Sequence, residues 1–486
     1  MKLPAVFALL LLCSSCPAQV VDSLALSNLK DAVAELGNSE LLRSGTLALS
    51  VKSVRENQPV AAFNSEKSLP SASTLKLVST ATVLSVFGGD YRFQTFLESD
   101  GQVKGDSLLG NLYIRGTGDP SLGSDRFKGY LSTSALLDRW VAAVKKAGVR
   151  VITGRVIPDA SYFDGLTVAS TWIWGDIGNY YGAGVEGLNI NENLYRARFR
   201  PGAEPGDPAA FLGIEPDIPY LQLTSQVTTG ERGSGDKTIF YGNPLSNSVI
   251  FTGTIPAGVP LFTVKGSLPG AALYAGYALQ QKLTTSGITV LETPKSGSVP
   301  AGTRRSLDEY QSPPLRELCQ QTNFWSINLY ADAFLKMAGK RLGGSSDYDH
   351  AAQAVTAFWL GRNADVRGFY IKDGSGLSPS GSVTTSSLTD ILNAASREKS
   401  FDDFYKSIGI LGVNGTVRNL GKGSRAAGNM RVKSGSIEGT RAYAGYVTSR
   451  SGALLSFSVI AHKYLPGSNR LITDELVRMM KLIGEL

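Results

Sequence analysis

Between about residues 92 and 305 the chain changes character, and that interruption constrains its fold more than any other feature. On either side, apolar residues recur with clear helix or strand periods. Leu26, Leu29, Val33 and Leu36 share one face of a helix expected over residues 24–36. Residues 45–54 alternate as a strand, with residues 58–63 as its hairpin partner, and a helix is expected from about Ser73, after the break at Pro70. Beyond the interruption, helical character returns at Leu307 and continues over 328–337 and 348–360. Residues 430–433, 441–448 and 455–461 then read as three strands, and 469–486 as a closing amphipathic helix. The middle is instead dense in Gly, Pro, Asn and Tyr, with short strands such as 261–265 and 287–292 between many turns. Matching ends around a foreign middle predict one α+β domain split by a large β-rich insertion.

A chain of 486 residues with 42% hydrophobic and 18% charged content can bury two or three cores. Its formal charge of +7 is spread thinly, with no run of Lys and Arg interleaved with aromatics, which argues against a nucleic-acid partner. Residues 1–18 carry one lysine, a short apolar core and a Cys-Pro-Ala ending, the pattern of a signal peptide cleaved after Ala18. The chain is therefore expected to be exported, to the periplasm. Lipidation at Cys16 would anchor it to a membrane, but the leucine usual three positions earlier is missing.

After cleavage at Ala18 only Cys319 remains, so no structural disulfide and no thiolate zinc site is expected, and Cys319 reads as a buried, inert thiol. His350 and His462 are the sole histidines, in no HExxH pattern, and no serine sits in a Gly-x-Ser-x-Gly elbow. A hydrolase built this way needs another base, and lysine is the obvious one.

Three short motifs answer that need. In Ser73-Thr-Leu-Lys76 the two ends share a helix face, so a neutral amine can take the serine proton. In Ser326-Ile-Asn328 a hydroxyl and an amide open a helix. In Lys433-Ser434-Gly435-Ser436 a lysine ending a strand can bind a carboxylate, Ser434 can add a hydroxyl, and Gly435 admits substrate backbone. Taken singly each could be a helix cap or a solvated lysine. Their order, S-x-x-K, S-x-N, then K-[ST]-G, is that of the serine penicillin-binding enzymes and class A β-lactamases.

The sequence closely resembles the low-molecular-mass penicillin-binding proteins of peptidase family S13, the D-alanyl-D-alanine carboxypeptidase/endopeptidases. Besides the three motifs, the resemblance rests on Gly116-Thr-Gly-Asp-Pro120, the run from Trp174 to Gly184, residues 188–193 and Asp373-Gly-Ser-Gly-Leu377. It implies Ser73 as nucleophile, Lys76 as general base, Ser326 as proton relay to the leaving amine and Asn328 as holder of the substrate amide. It further implies that Lys433 and Ser434 face the terminal carboxylate, with the backbone N–H groups of Ser73 and Ser436 as oxyanion hole. The family usually has threonine at position 434, and serine keeps the hydroxyl. Asp159 resembles a position associated with the free amine of the stem diamino acid; the plain alternative is a turn cap. The implied fold is a serine β-lactamase/DD-peptidase-like domain, an antiparallel sheet packed with helices, over residues 19–91 and 306–486. Residues 92–305 would hold two nested accessory domains. The implied partners are peptidoglycan stem peptides ending in D-Ala-D-Ala or cross-linked through D-Ala, with β-lactams as covalent inhibitors and no metal or cofactor. A serine β-lactamase and a non-enzymatic cell-wall-binding protein are the alternatives.

Overall fold

The computed structural model describes residues 21–486 apart from residues 296, 298, 300 and 301. The signal segment expected over 1–18 and the lipidation expected at Cys16 lie outside the described residues.

A five-stranded antiparallel sheet joins the two ends of the chain. Its order is Arg431–Ile437, Thr440–Thr448, Leu454–His462, Thr46–Ser53, Pro59–Phe63, so the first hairpin pairs directly with the last strands. Side chains alternate across it. Leu47, Leu49 and Val51 pack against the terminal helices Ser23–Gly37 and Asn469–Ile483, while Ala48, Ala442, Ala444 and Ile460 face a helical layer. That layer holds the helices Lys76–Phe87, Leu315–Trp325, Asn328–Gly343, Tyr348–Leu360 and Thr385–Ala395. Cys319 is buried within it.

The intervening chain builds its own core around the helices Thr133–Lys146 and Ala271–Thr285 and several small sheets. One sheet has the order Arg305–Gln311, Gln94–Ser99, Leu112–Gly116, Val156–Asp159. Helical character does not return at Leu307. That residue lies in a strand paired with Gln94–Ser99, and the first helix beyond it begins at Leu315. Alternation in Arg-Ser-Leu-Asp-Glu-Tyr-Gln, with Tyr310 inward, is a strand pattern whose partner is some two hundred residues away. The pairing joins residues 305–311 to a sheet of the intervening chain.

Two ends of the sequence reading also shift. The strand expected over 430–433 continues to Ile437, so Lys433-Ser-Gly-Ser436 lies inside it, opposite Ala444, Tyr443, Ala442 and Arg441. The strand expected over 287–292 is reduced to Thr289–Val290.

Candidate active site

The nucleophile candidate sits where a short 3-10 turn, Ala72–Leu75, runs into the helix Lys76–Phe87. Ala72 is held at φ 45°, a left-handed conformation that a non-glycine residue adopts at a cost. The turn leaves Ser73 partly accessible while Lys76, one turn on, is fully buried. Lys76 Nζ donates to Ser73 Oγ at 2.9 Å and to the Ser375 carbonyl at 2.7 Å. Burial lowers the Lys76 pKa to about 8, against the opposing pull of Asp332 and Asp373. His462 is instead bonded to Thr440 Oγ1 at 2.8 Å, and exposed His350 lies beside Asp347. The base within reach of Ser73 is lysine.

The second motif lies at a helix corner. Ser326 ends the helix Leu315–Trp325 in the left-handed conformation, φ 60° and ψ 44°, and Asn328 opens the next. Lys433 Nζ reaches across from its strand and donates to Ser326 Oγ at 2.9 Å and to the Ser434 carbonyl at 2.7 Å. Fully buried Lys433 is lowered well below the ordinary lysine range, first by burial and then by the charge of Lys76. The three motifs therefore meet, as two lysine–serine pairs.

Glycines let the backbones close on one another. A β-carbon at Gly435 would lie 2.9 Å from the Ser71 carbonyl oxygen and 3.1 Å from Ser73 N. The Lys433 strand thus runs directly against the nucleophile turn, with exposed Ser436 next along it. Gly376, at φ 76°, folds the 373–377 loop onto the Ala72 carbonyl with no room for a side chain. Gly435→Ala should therefore push the strand off the turn and slow penicillin acylation by about 10²-fold, the typical worth of one oxyanion donor. Rapid-quench acylation kinetics measure this directly, and an unchanged rate would show that the strand has slack.

Four further groups complete the site, and none of them has a role legible in the sequence. Asp332 lies one helical turn after Asn328, at i+4, and its Oδ1 accepts from Gly374 N–H at 2.6 Å. Burial and Asp373 together push its carboxyl up to about 8. Asp373 accepts from the N–H groups of Gly376 and Ser378, at 2.6 and 2.7 Å, and from Trp172 Nε1 of the insertion at 2.7 Å. Thr416 Oγ1 lies 2.8 Å from Ser434 Oγ, extending the hydroxyl pair beside Lys433. The Tyr181 carbonyl accepts from Asn328 Nδ2 at 2.8 Å, so the insertion fixes the orientation of that amide.

Asp159 is placed apart from these contacts. It is buried, with Oδ1 accepting from the N–H and Oγ of Ser161 at 3.1 and 2.6 Å, and Oδ2 from Arg304 at 2.8 Å. That is a turn cap joined to an ion pair, and an incoming amine would have to displace the guanidinium.

Comparison with known proteins agrees with this architecture. A D-alanyl-D-alanine carboxypeptidase of Actinomadura sp. (strain R39) is 28% identical over 435 residues, covering 86% of this chain and 78% of the relative. The D-alanyl-D-alanine carboxypeptidase DacB of Haemophilus influenzae is 24% identical over 429 residues, covering 86% and 85%. The crystal structure of penicillin binding protein 4 (dacB) from Haemophilus influenzae superposes with a TM-score of 0.76 at 21% identity, covering 94% of this chain and 98% of that one, and shows the same fold. A second structure of that protein holds a β-lactam. The sequence model of the D-Ala-D-Ala carboxypeptidase 3 (S13) family matches residues 29–481, and the chain belongs to that family.

Proposed function

We propose that the protein is an exported, penicillin-sensitive hydrolase that cleaves peptidoglycan stem peptides at D-alanine through an acyl-enzyme on Ser73. Membership of the family makes it a serine-type D-Ala-D-Ala carboxypeptidase. The observation that carries the finer reading is the buried Lys76 amine, 2.9 Å from Ser73 Oγ with its pKa down at about 8. A sizeable neutral fraction at physiological pH makes it a competent base.

Neutral Lys76 accepts the Ser73 proton as Oγ attacks the carbonyl between two D-alanines, or between D-alanine and a cross-linked diamino acid. The oxyanion is taken up by the backbone N–H groups of Ser73 and Ser436. As the C–N bond breaks, Ser326 Oγ passes a proton to the departing amine and takes in exchange the one that Lys76 removed from Ser73, which leaves Lys76 neutral for the second step. Water then attacks the ester, its proton returning through Lys76, and the shortened peptide leaves. Asn328, oriented by Tyr181, holds the substrate amide. A strained β-lactam amide beside a carboxylate would enter the same path, as the β-lactam complex of the Haemophilus influenzae protein suggests by likeness.

Lys433, Ser434 and Thr416 form the receiving edge for the substrate's terminal carboxylate. An arriving carboxylate restores the ammonium form that burial disfavours. Lys433→Ala should weaken acylation by substrates with a free terminal carboxylate at least tenfold more than by amidated analogues, from a loss of about 2–5 kcal/mol. Equal losses on both would show that Lys433 supports the site without reading the carboxylate.

The test of the whole reading is product analysis. Incubated with an uncross-linked pentapeptide and a defined cross-linked muropeptide, the purified protein should release D-alanine from the first, or monomers from the second, or both. Intact substrates after prolonged incubation would contradict it.

A further inference from the structure

Two stretches that carry the family resemblance, Gly116-Thr-Gly-Asp-Pro120 and residues 188–193, take no part in the acylation steps. The fold brings them together. Gly118 N–H donates to the Gly187 carbonyl at 2.7 Å and Asn191 N–H to the Leu122 carbonyl at 2.9 Å, while Asn189 Nδ2 reaches the Asp119 carbonyl at 3.2 Å. The second stretch ends in a strained turn. Asn191, Glu192 and Asn193 stand in succession at φ 54°, 54° and 51°, in the left-handed region. Asparagine tolerates that region, but a glutamate there is destabilising unless its surroundings hold it. The asparagines supply the restraint. Asn193 Oδ1 accepts from Ile190 N–H at 3.0 Å, and its Nδ2 donates to the Gly184 carbonyl and to Asn189 Oδ1, each at 2.8 Å. Strain held this firmly points to a side chain whose direction matters.

Glu192 is that side chain. Its Oε1 accepts from Ser124 Oγ at 2.6 Å, from Arg126 Nε at 2.6 Å and from Tyr330 Oη at 3.0 Å. Ser124 and Arg126 follow the first stretch, whereas Tyr330 lies in the first turn of the helix that Asn328 opens. Tyr330 is fully buried and stacks on Phe127, with ring centroids 6.4 Å apart at 10°. Sliding or turning that helix would leave a buried phenol and a mostly buried carboxylate without each other, which costs more than the bond is worth.

We propose that Glu192 is a positioning residue: through Tyr330 it fixes the first turn of the Asn328–Gly343 helix, and with it the Asn328 amide that holds the substrate amide. The two stretches are then one bracket, built on the intervening chain and closed on the catalytic helix by a single carboxylate. The proposal rests on the acyl-enzyme reading above, in which Asn328 takes the substrate amide.

The test compares acylation by benzylpenicillin, which carries a side-chain amide, with acylation by 6-aminopenicillanic acid, which lacks it. Glu192→Ala and Tyr330→Phe should each slow the first by about five- to tenfold, the worth of one hydrogen bond, and leave the second within about twofold. Asn328→Ala should show the same selectivity between the two compounds. The Glu192→Ala, Tyr330→Phe double variant should lose no more than the worse single one, because both remove one contact. Glu192→Gln keeps an acceptor for Tyr330 and should retain most of the benzylpenicillin rate. Tyr330→Phe deletes only one oxygen from a packed site, so it carries the test even if Glu192→Ala does not fold. Equal losses on both compounds, or unchanged rates on both, would overturn the positioning role alone. Failure of the wild type to be acylated by either compound would remove the Ser73 reading and the proposal with it.

Discussion

Ser73→Ala should abolish covalent labelling by a fluorescent penicillin while leaving the fold intact. The Ser73 hydroxyl is partly accessible and its recorded side-chain partner is Lys76. Removing it takes one short hydrogen bond from the base and creates no cavity in a packed core, so the cost to stability should stay near the ~1 kcal/mol of an ordinary hydrogen bond. The chemical cost is complete, because among the described residues no other hydroxyl donates to or accepts from Lys76 Nζ in its place. Ser326 is bonded to Lys433, across the site, and cannot substitute without a shift of the helix corner. Gel fluorescence after a saturating dose, with thermal unfolding in parallel, reads both outcomes. Stoichiometric labelling of the variant would remove Ser73 from the nucleophile role.

Lys76→Arg should lower the acylation rate by about 10²–10⁴-fold, the usual worth of a positioned proton acceptor. The substitution keeps a cation at the head of the helix, yet a guanidinium stays protonated and cannot accept the serine proton. It also brings a larger planar group into a fully buried slot between Ser73 and the Ser375 carbonyl. Lys76→Met separates the two effects, because it removes the base with less strain. Both variants should lose acylation to a similar extent if proton transfer is what Lys76 provides. A near-normal rate in the arginine variant would mean that Lys76 contributes charge or packing alone.

Much of this site is legible in one sequence because its key pair is local. Ser73 and Lys76 are three apart, and helix geometry alone puts the amine beside the hydroxyl. Ser326, Asn328 and Lys433 are legible by order and setting, though nothing local says that Lys433 reaches Ser326. That contact depends on the sheet bringing a strand 107 positions away in sequence against a helix corner. Lys433-Ser-Gly-Ser436 reads as a strand end because Ser and Gly are weak strand formers; pairing with the buried Thr440–Thr448 strand overrides that propensity. The same limit hid Arg305–Gln311, whose partner strand closes a loop of some two hundred residues. Asp332 and Thr416 are ordinary residues in sequence, and Asp373 and Tyr181 lie in stretches that carry the family resemblance without a role of their own; all four become parts of the site by topology. Asp332 had the best local signal, one helical turn beyond Asn328 on the same face.

The central claim is that a neutral, buried Lys76 activates Ser73, and the pH dependence of penicillin acylation tests it most directly. Protonated Lys76 cannot act as base, so the rate should be low in acid and rise as the amine loses its proton. Burial sets that transition at about 8, well below the ~10.4 of a free lysine. Pre-steady-state acylation measured from about pH 5 to 10 should therefore climb through a midpoint near 8 in the wild type and lose that limb in Lys76→Arg. A wild-type profile that is flat, or that rises only above about pH 10, would contradict the account.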